Sequence, residues 1–306
     1  MSLLVVGSIA LDTIKTPFGK VKEALGGSAA YFSMAAQHLT DVNLVAVVGK
    51  DFSKKHIHIF QEKGIDLSGL QIAEGETFRW TGEYGFDLNE AQTIETQLNV
   101  FQDFNPQIPA KYRYSDFVFL ANIDPDLQRQ VLDQVDSPKL VACDTMNYWI
   151  ENKPDSLKRT IQRVDIVTIN EAEARQLTKK PNLVKASREI LSWGPKILII
   201  KQGEYGVLMF SDHSAFSAPA YPLEELYDPT GAGDSFAGGL MGFISNIGKF
   251  DENNIRKGII MGSVMASFCV EAFTPKRLID LDPQEIKGRF KEFKNLTFFE
   301  DLTEII

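Results

Sequence analysis

Short apolar runs, most of them uninterrupted, recur along this chain and alternate with segments in which apolar residues return every three or four positions. The runs fall at 3–6, 42–48, 117–120, 140–143, 166–169 and 197–200. A run of that length with no polar face predicts a strand buried on both sides. The helical segments between them fall at 28–38, 54–63, 125–135, 157–164 and 184–193. Strand and helix in turn predict an α/β fold, with a mostly parallel central sheet flanked by helices. Polar and small residues follow each run, and they mark the crevice where such a sheet binds ligand.

One region breaks the rhythm. Thr77-Phe-Arg-Trp-Thr-Gly-Glu-Tyr-Gly-Phe86 and then Thr93-Ile-Glu-Thr-Gln-Leu-Asn-Val100 are rich in Thr, aromatic and Gly residues and read as strands and turns. Such an insertion does not join a parallel sheet easily. The expectation is a small β-sheet lid formed by 9–16 and 74–102, with 1–8, 17–73 and 103–306 forming the α/β domain. A surface hairpin with no part in ligand closure is the plain alternative.

Bulk properties narrow the classes. The 306 residues, 44% of them apolar, suffice for a substantial core. The formal charge of −9 is spread along the chain and disfavours a nucleic-acid partner. Cys143 and Cys269 belong to no metal or redox spacing and read as reduced core residues. His56 and His58 sit two apart in a helical segment, where side chains diverge, so they do not read as a metal pair. With no secretory signal and no apolar stretch near the ~20 residues that cross a bilayer, the expectation is a cytoplasmic protein with no membrane partner.

The chemistry concentrates in Asp228-Pro-Thr-Gly-Ala-Gly-Asp-Ser-Phe-Ala-Gly-Gly239. Gly231 and Gly233 flank Ala232, so the backbone can turn tightly and a ligand can approach its amides. Phe236, Leu240, Phe243 and Ile244 follow at helical spacing. The loop therefore opens a helix, whose first N–H groups are unpaired and partly positive, and such a place holds anions. Asp234 beside it is expected to stay ionised at neutral pH, favoured by the helix dipole. It can then take the proton of an attacking hydroxyl while the amides offset charge on a transferring phosphoryl group. A bare glycine turn capped by Asp is the bland alternative, and the length of the string with Asp228, Thr230 and Phe236 argues against it. There is no GxxxxGK[ST] string, and no GxGxxG follows the first run.

That stretch resembles the C-terminal signature of the ribokinase-like (PfkB) family of carbohydrate and nucleoside kinases almost position for position. The resemblance implies Asp234 as catalytic base and the amides of Gly231, Ala232 and Gly233 as anion hole. It implies Asp228 and Thr230 beside a monovalent-cation site for K+, with Thr230 also on the nucleotide side. It covers nearly the whole chain in order. Asp12 and the pair Gly26-Gly27 match positions that hold acceptor hydroxyls. Asn170-Glu171-Ala172-Glu173 resembles the NxxE motif, with Asn170 on the nucleotide side and Glu173 reaching Mg2+ through water. Lys201, Gly203 and Gly206 resemble the nucleotide-side glycine turn, with Lys201 offsetting phosphate charge. Tyr31 stands where many members carry Asn, which alters the sugar-contact pattern and offers a ring or a hydroxyl instead.

Position after predicted strands adds Asn122, Asp124, Asp144 and Asn147 as crevice residues, with Asn122 and Asn147 taken as acceptor contacts. Phe78, Arg79 and Trp80 are candidates to cover the acceptor, or form the lid's own aromatic core. The expectation is an ATP- and Mg2+-dependent kinase acting on a hydroxyl of a sugar or sugar-like molecule. A nucleoside kinase of the same family and a non-catalytic binding homologue are the alternatives, and a homodimer through the lid is a further expectation.

Overall fold

The computed structural model describes residues 2–89, 91–298 and 300; the other positions of the two expected units lie outside the described residues. The strands are β1 (Ser2–Val6), β2 (Ala10–Thr16), β3 (Gly19–Gly26), β4 (Asp41–Gly49), β5 (Asp66–Ala73), β6 (Arg79–Tyr84), β7 (Ala91–Gln97), β8 (Phe117–Leu120), β9 (Leu140–Asp144), β10 (Ile166–Asn170), β11 (Ile197–Lys201), β12 (Val207–Ser211) and β13 (Ala215–Ala218). Nine form one sheet in the order β13-β12-β11-β10-β9-β8-β1-β4-β5, and four form a second sheet in the order β3-β2-β6-β7. In the large sheet β5, β4, β1, β8, β9, β10 and β11 run parallel, while β12 and β13 add an antiparallel edge. This is a ribokinase-like α/β fold with a separate small sheet.

All six predicted runs are strands of the large sheet. Their two faces build two cores, which is why they lack a polar side. Leu3 and Val5 enter one core with the helices Ser28–Ala36, Ala232–Ile247 and Glu252–Cys269. Leu4 and Val6 enter the other with Val131, Leu157, Ile161 and Ile190 from the opposite helices. Phe32 stacks on Phe119 at 4.4 Å, fixing the helix Ser28–Ala36 over the sheet.

The small sheet is mixed, because β2 pairs β6 in parallel and β3 and β7 antiparallel on either side. β3 belongs to it, although the sequence reading left 17–26 in the α/β domain. In its sequence, Gly19-Lys-Val-Lys-Glu-Ala-Leu-Gly26, the charged Lys20, Lys22 and Glu23 are exposed and break up the apolar residues, so it carries no apolar run to betray a strand.

The order of the large sheet reverses at β1, whose neighbours are β8 and β4. A crevice opens at such a reversal, at the carboxyl ends of the strands. The helix Ala232–Ile247 starts there. Gly238, Gly239 and Gly242 within it each cost about 1 kcal/mol of helix propensity relative to Ala. They let it pack closely: a Cβ on Gly238 would lie 2.4 Å from the Phe32 carbonyl oxygen, and one on Gly239 2.8 Å from that of Met261. Close packing on two neighbours fixes where this helix begins.

Candidate active site

Gly231, the N-cap of the helix Ala232–Ile247, has φ 76° and ψ 4°, a left-handed conformation suited to glycine. A Cβ there would lie 2.2 Å from Tyr31 Cδ1, because the loop rests on that ring. Ser235 N donates to the Gly231 carbonyl at 2.8 Å and Ala232 N to that of Pro229 at 3.2 Å. The N–H groups of Gly231, Gly233 and Asp234 have no partner among the described residues. Of the three amides expected in the anion hole, Ala232 is therefore engaged, and the Asp234 amide stands free beside the glycines. Asp228 shapes the turn from below. It is 1% exposed, and its carboxylate accepts Thr230 N at 2.9 Å and Thr274 N at 3.2 Å.

Asp234 is half-buried in the first turn of the helix. Burial pushes its carboxyl up to about 7, Asp144 adds to the rise and Lys201 opposes it. The expectation of a carboxylate fully ionised at neutral pH is thus corrected: burial disfavours its charged form. Lys201 lies under the loop, its Nζ 3.0 Å from where a Gly233 Cβ would be. It pairs with Asp144 at 2.7 Å. Burial opposes its charge, but Asp144, Glu173 and Asp234 together hold the ammonium above its ordinary range.

Asp12 lies on β2 against Gly26, where a Cβ would fall 1.9 Å from Oδ2. Burial pushes it up to about 7 as well; the Gly27 amide opposes this, and the charges of Asp228 and Asp234 add to it. Those charges bring Asp12 to the same site as the loop. Asn170 and Glu173 form a reciprocal cap on the helix Glu171–Thr178: Glu173 N donates to Asn170 Oδ1 at 2.8 Å and Asn170 N to Glu173 Oε2 at 2.8 Å. Glu173 is 8% exposed and is pushed up to about 7, chiefly by burial.

Mg2+ fits this donor set as an ion with few protein ligands. Among the described residues no group of three or more His, Cys, Asp or Glu is placed to hold a metal. Magnesium commonly keeps its waters and uses one or two carboxylates with substrate phosphates, and Glu173 retains Oε1 for that purpose. Asp228 fits less well as a direct K+ ligand, since backbone amides take both its oxygens.

The other predicted residues divide. Gly203, at φ 58°, and Gly206, at φ 100°, form the turn after β11. A Cβ on Gly203 would lie 1.8 Å from Asn89 Oδ1, so the tip of the β6–β7 hairpin touches this turn. Thr230 Oγ1 donates to Tyr84 Oη at 3.2 Å, a second link to the small sheet. Asn122 is committed to the protein, its amide donating to Met146 Sδ at 3.0 Å and its oxygen accepting Trp149 Nε1 at 3.0 Å. Asn147 is exposed, and its oxygen accepts Tyr148 N at 2.9 Å. Tyr31 is 1% exposed with its hydroxyl unpartnered among the described residues, so it supports the loop and offers no open ring face. Phe78 stacks on Phe101 at 5.2 Å, and Arg79 pairs with Asp51 at 2.8 Å.

Tyr84 and Thr274 were missed in the sequence. Alternation along 80, 82 and 84 could have placed Tyr84 on the Trp80 face. Thr274 has left-handed φ, 65°, with no local signal for it. A pocket of about 190 Å³ lined by Thr13, Glu23, Arg79, Thr81 and Glu95 opens on the opposite face of the small sheet, away from these groups. Among the described residues no helix is long and apolar enough to cross a membrane.

The family described as pfkB family carbohydrate kinase matches residues 2–277. A cytidine kinase of Thermococcus kodakarensis is 32% identical over 265 residues, which are 85% of this chain and 94% of that protein. The structure of a Burkholderia thailandensis nucleoside kinase in complex with inosine aligns with a TM-score of 0.76 at 20% identity, over 96% of this chain and 99% of that one. A putative ribokinase II from E. coli in complex with ATP and Mg2+ aligns with a TM-score of 0.78 at 18% identity, over 95% and 99%.

Proposed function

Because this chain belongs to the pfkB family of carbohydrate kinases, we propose that it is an ATP-dependent nucleoside kinase, with Asp234 as general base. The observation that carries the chemistry is the placement of Asp234 at a helix N-terminus with three N–H groups that have no partner among the described residues, its carboxyl raised to about 7. A base with a pKa near the working pH combines adequate ionisation with a real driving force for proton uptake. The acceptor is the finer step. A sugar stood first in the sequence reading; the similarity to a cytidine kinase and to a nucleoside kinase bound to inosine supports a nucleoside instead.

In this reading Asp12, set against Gly26 and Gly27, accepts hydrogen bonds from ribose hydroxyls and orients the one that reacts. Asp234 takes that hydroxyl's proton as its oxygen bonds to the γ-phosphorus of ATP; the bond from phosphorus to the bridging oxygen breaks, and ADP leaves. The amides of Gly231, Gly233 and Asp234, with Lys201 held in place by Asp144, offset the charge on the moving phosphoryl group. Mg2+, when bound near Glu173 and Asn170, would neutralise phosphate charge. The small sheet closes the site through Tyr84 on Thr230 and Asn89 on Gly203, which excludes water from the reaction.

An acceptor panel tests this directly. ADP formation from ATP and Mg2+ is followed with cytidine, uridine, adenosine, inosine, ribose, fructose and myo-inositol. The expected result is turnover with at least one nucleoside at a kcat/KM about a hundredfold or more above any free sugar, on the order that a site built for one ligand's groups discriminates against a ligand that lacks them. Turnover confined to free sugars would move the acceptor back to that class.

A further inference from the structure

We propose that the indole of Trp80 is the surface on which the acceptor's base stacks, and that it makes the site prefer a nucleoside over a free sugar. This rests on the nucleoside-kinase reading and adds a specificity-determining residue to it. β2 and β6 are parallel, with Asp12 in register with Trp80 and Ile14 with Gly82. In-register residues of neighbouring strands project from the same face, so Asp12, Trp80, Gly82 and Tyr84 share one face. That face is turned to the large domain, because Thr16 Oγ1 donates to the Tyr227 carbonyl at 2.9 Å and Tyr84 meets Thr230 at 3.2 Å.

The ring's attitude follows from Gly82. A Cβ there would lie 2.1, 2.4 and 2.8 Å from Trp80 Cη2, Cζ2 and Cζ3. Three ring atoms that close to one point above the strand mean that the indole lies flat over Gly82. One face of the ring covers the glycine; the other looks away from the strand. Trp80 Nε1 donates to Thr93 Oγ1 at 3.2 Å, which fixes the ring's rotation. The side chain remains half-buried, so aromatic surface is left open. Its neighbours in sequence are committed elsewhere, Phe78 to Phe101 and Arg79 to Asp51.

Adjacent strands lie about 4.8 Å apart. The indole thus starts one strand spacing from Asp12, and a base joined to its ribose by a single glycosidic bond spans such a gap. A free pentose or hexose has no planar π system and gains nothing from the ring. Stacking also tolerates different bases, since each presents a π face. The site should therefore demand a base while discriminating weakly among bases.

The test uses the full-length protein with cytidine, inosine and D-ribose as acceptors, in wild type, Trp80→Ala and Trp80→Phe. Cytidine should quench the wild-type tryptophan fluorescence, ribose should not, and the quench should vanish in Trp80→Phe, which retains Trp149 and Trp193. In Trp80→Ala the KM for cytidine and inosine should rise about tenfold to a hundredfold, with the KM for ATP unchanged and most of the loss recovered in Trp80→Phe. If nucleosides are phosphorylated but the Trp80→Ala KM stays within twofold, or the quench persists in Trp80→Phe, Trp80 is only filler over Gly82 and the inference fails alone. If wild type turns over ribose but neither nucleoside, the nucleoside reading falls and this inference with it.

Discussion

The Lys201 ammonium lies 2.7 Å from the Asp144 carboxylate, with both side chains largely removed from solvent. A lysine expected to be a free counter-charge for phosphate thus has a resident anion. Asp144 also accepts Thr145 N at 2.8 Å and so is held on both oxygens. Its charge raises the Asp234 carboxyl, while Lys201 lowers it.

Replacing Asp144 by Asn should therefore act on the pH profile. With that anion gone, Lys201 acts on Asp234 unopposed, and the acid limb of kcat/KM should move to lower pH. Stability should fall by about 3 kcal/mol, because removing one partner of a buried pair leaves the other uncompensated. Rates from pH 5 to 9 and thermal melts of the variant check both; an unmoved acid limb would detach Asp144 from the base.

Tyr31 separates ring from hydroxyl. Its ring supports Gly231, and its oxygen has no partner among the described residues. Tyr31→Phe should leave Tm unchanged or higher, with kcat near wild type, because an unsatisfied buried hydroxyl contributes nothing that its loss removes. Tyr31→Ala should cost about 3–5 kcal/mol, as for other large-to-small aromatic replacements in a core, and should lower kcat by loosening the loop. Denaturant melts and steady-state kinetics on the pair distinguish the two contributions.

What was legible in the sequence follows from burial on both sides. Strands such as Phe117–Leu120 must be continuously apolar, and they announced themselves. β3 is interrupted by exposed Lys20, Lys22 and Glu23, and β5 is half-exposed along its length; neither carries a pattern that periodicity detects. At the site, the loop from Asp228 to Asp234 could be read because the need for tight turning and free amides restricts residue choice over consecutive positions. Long-range relations could not. Nothing in the string predicts that Asp144 claims Lys201, that Met146 and Trp149 occupy Asn122, or that Tyr31 lies beneath Gly231. The rise of Asp234 was missed for the same reason, since desolvation depends on what the fold packs around a group.

Stability should also depend on pH in an informative direction. Asp12, Glu173 and Asp234 are each raised to about 7, with burial the largest cause in all three. Their unfolded values are 3.8, 4.5 and 3.8. Between about 4 and 7 the folded state holds protons that the unfolded state has released, so stability falls as pH rises through that window. His38 and His56, whose imidazole pKa values burial lowers, oppose this within the window, and the depressed carboxyls Asp66 and Asp126 oppose it only below that range. The ligand-free protein should melt higher at pH 5 than at pH 8, and Asp234→Asn should flatten the slope by removing one contributor. A melting temperature that rises from pH 5 to pH 8 would contradict the buried-carboxyl account.

The most direct test is the turnover of Asp234→Asn. The amide keeps the shape of the carboxyl and cannot take a proton. With ATP, Mg2+ and the best acceptor of the panel, kcat should fall by about 10²–10⁴, the usual contribution of a general base, while the Kd for acceptor changes little. A variant that binds normally and retains kcat within tenfold of wild type would remove Asp234 from the chemistry.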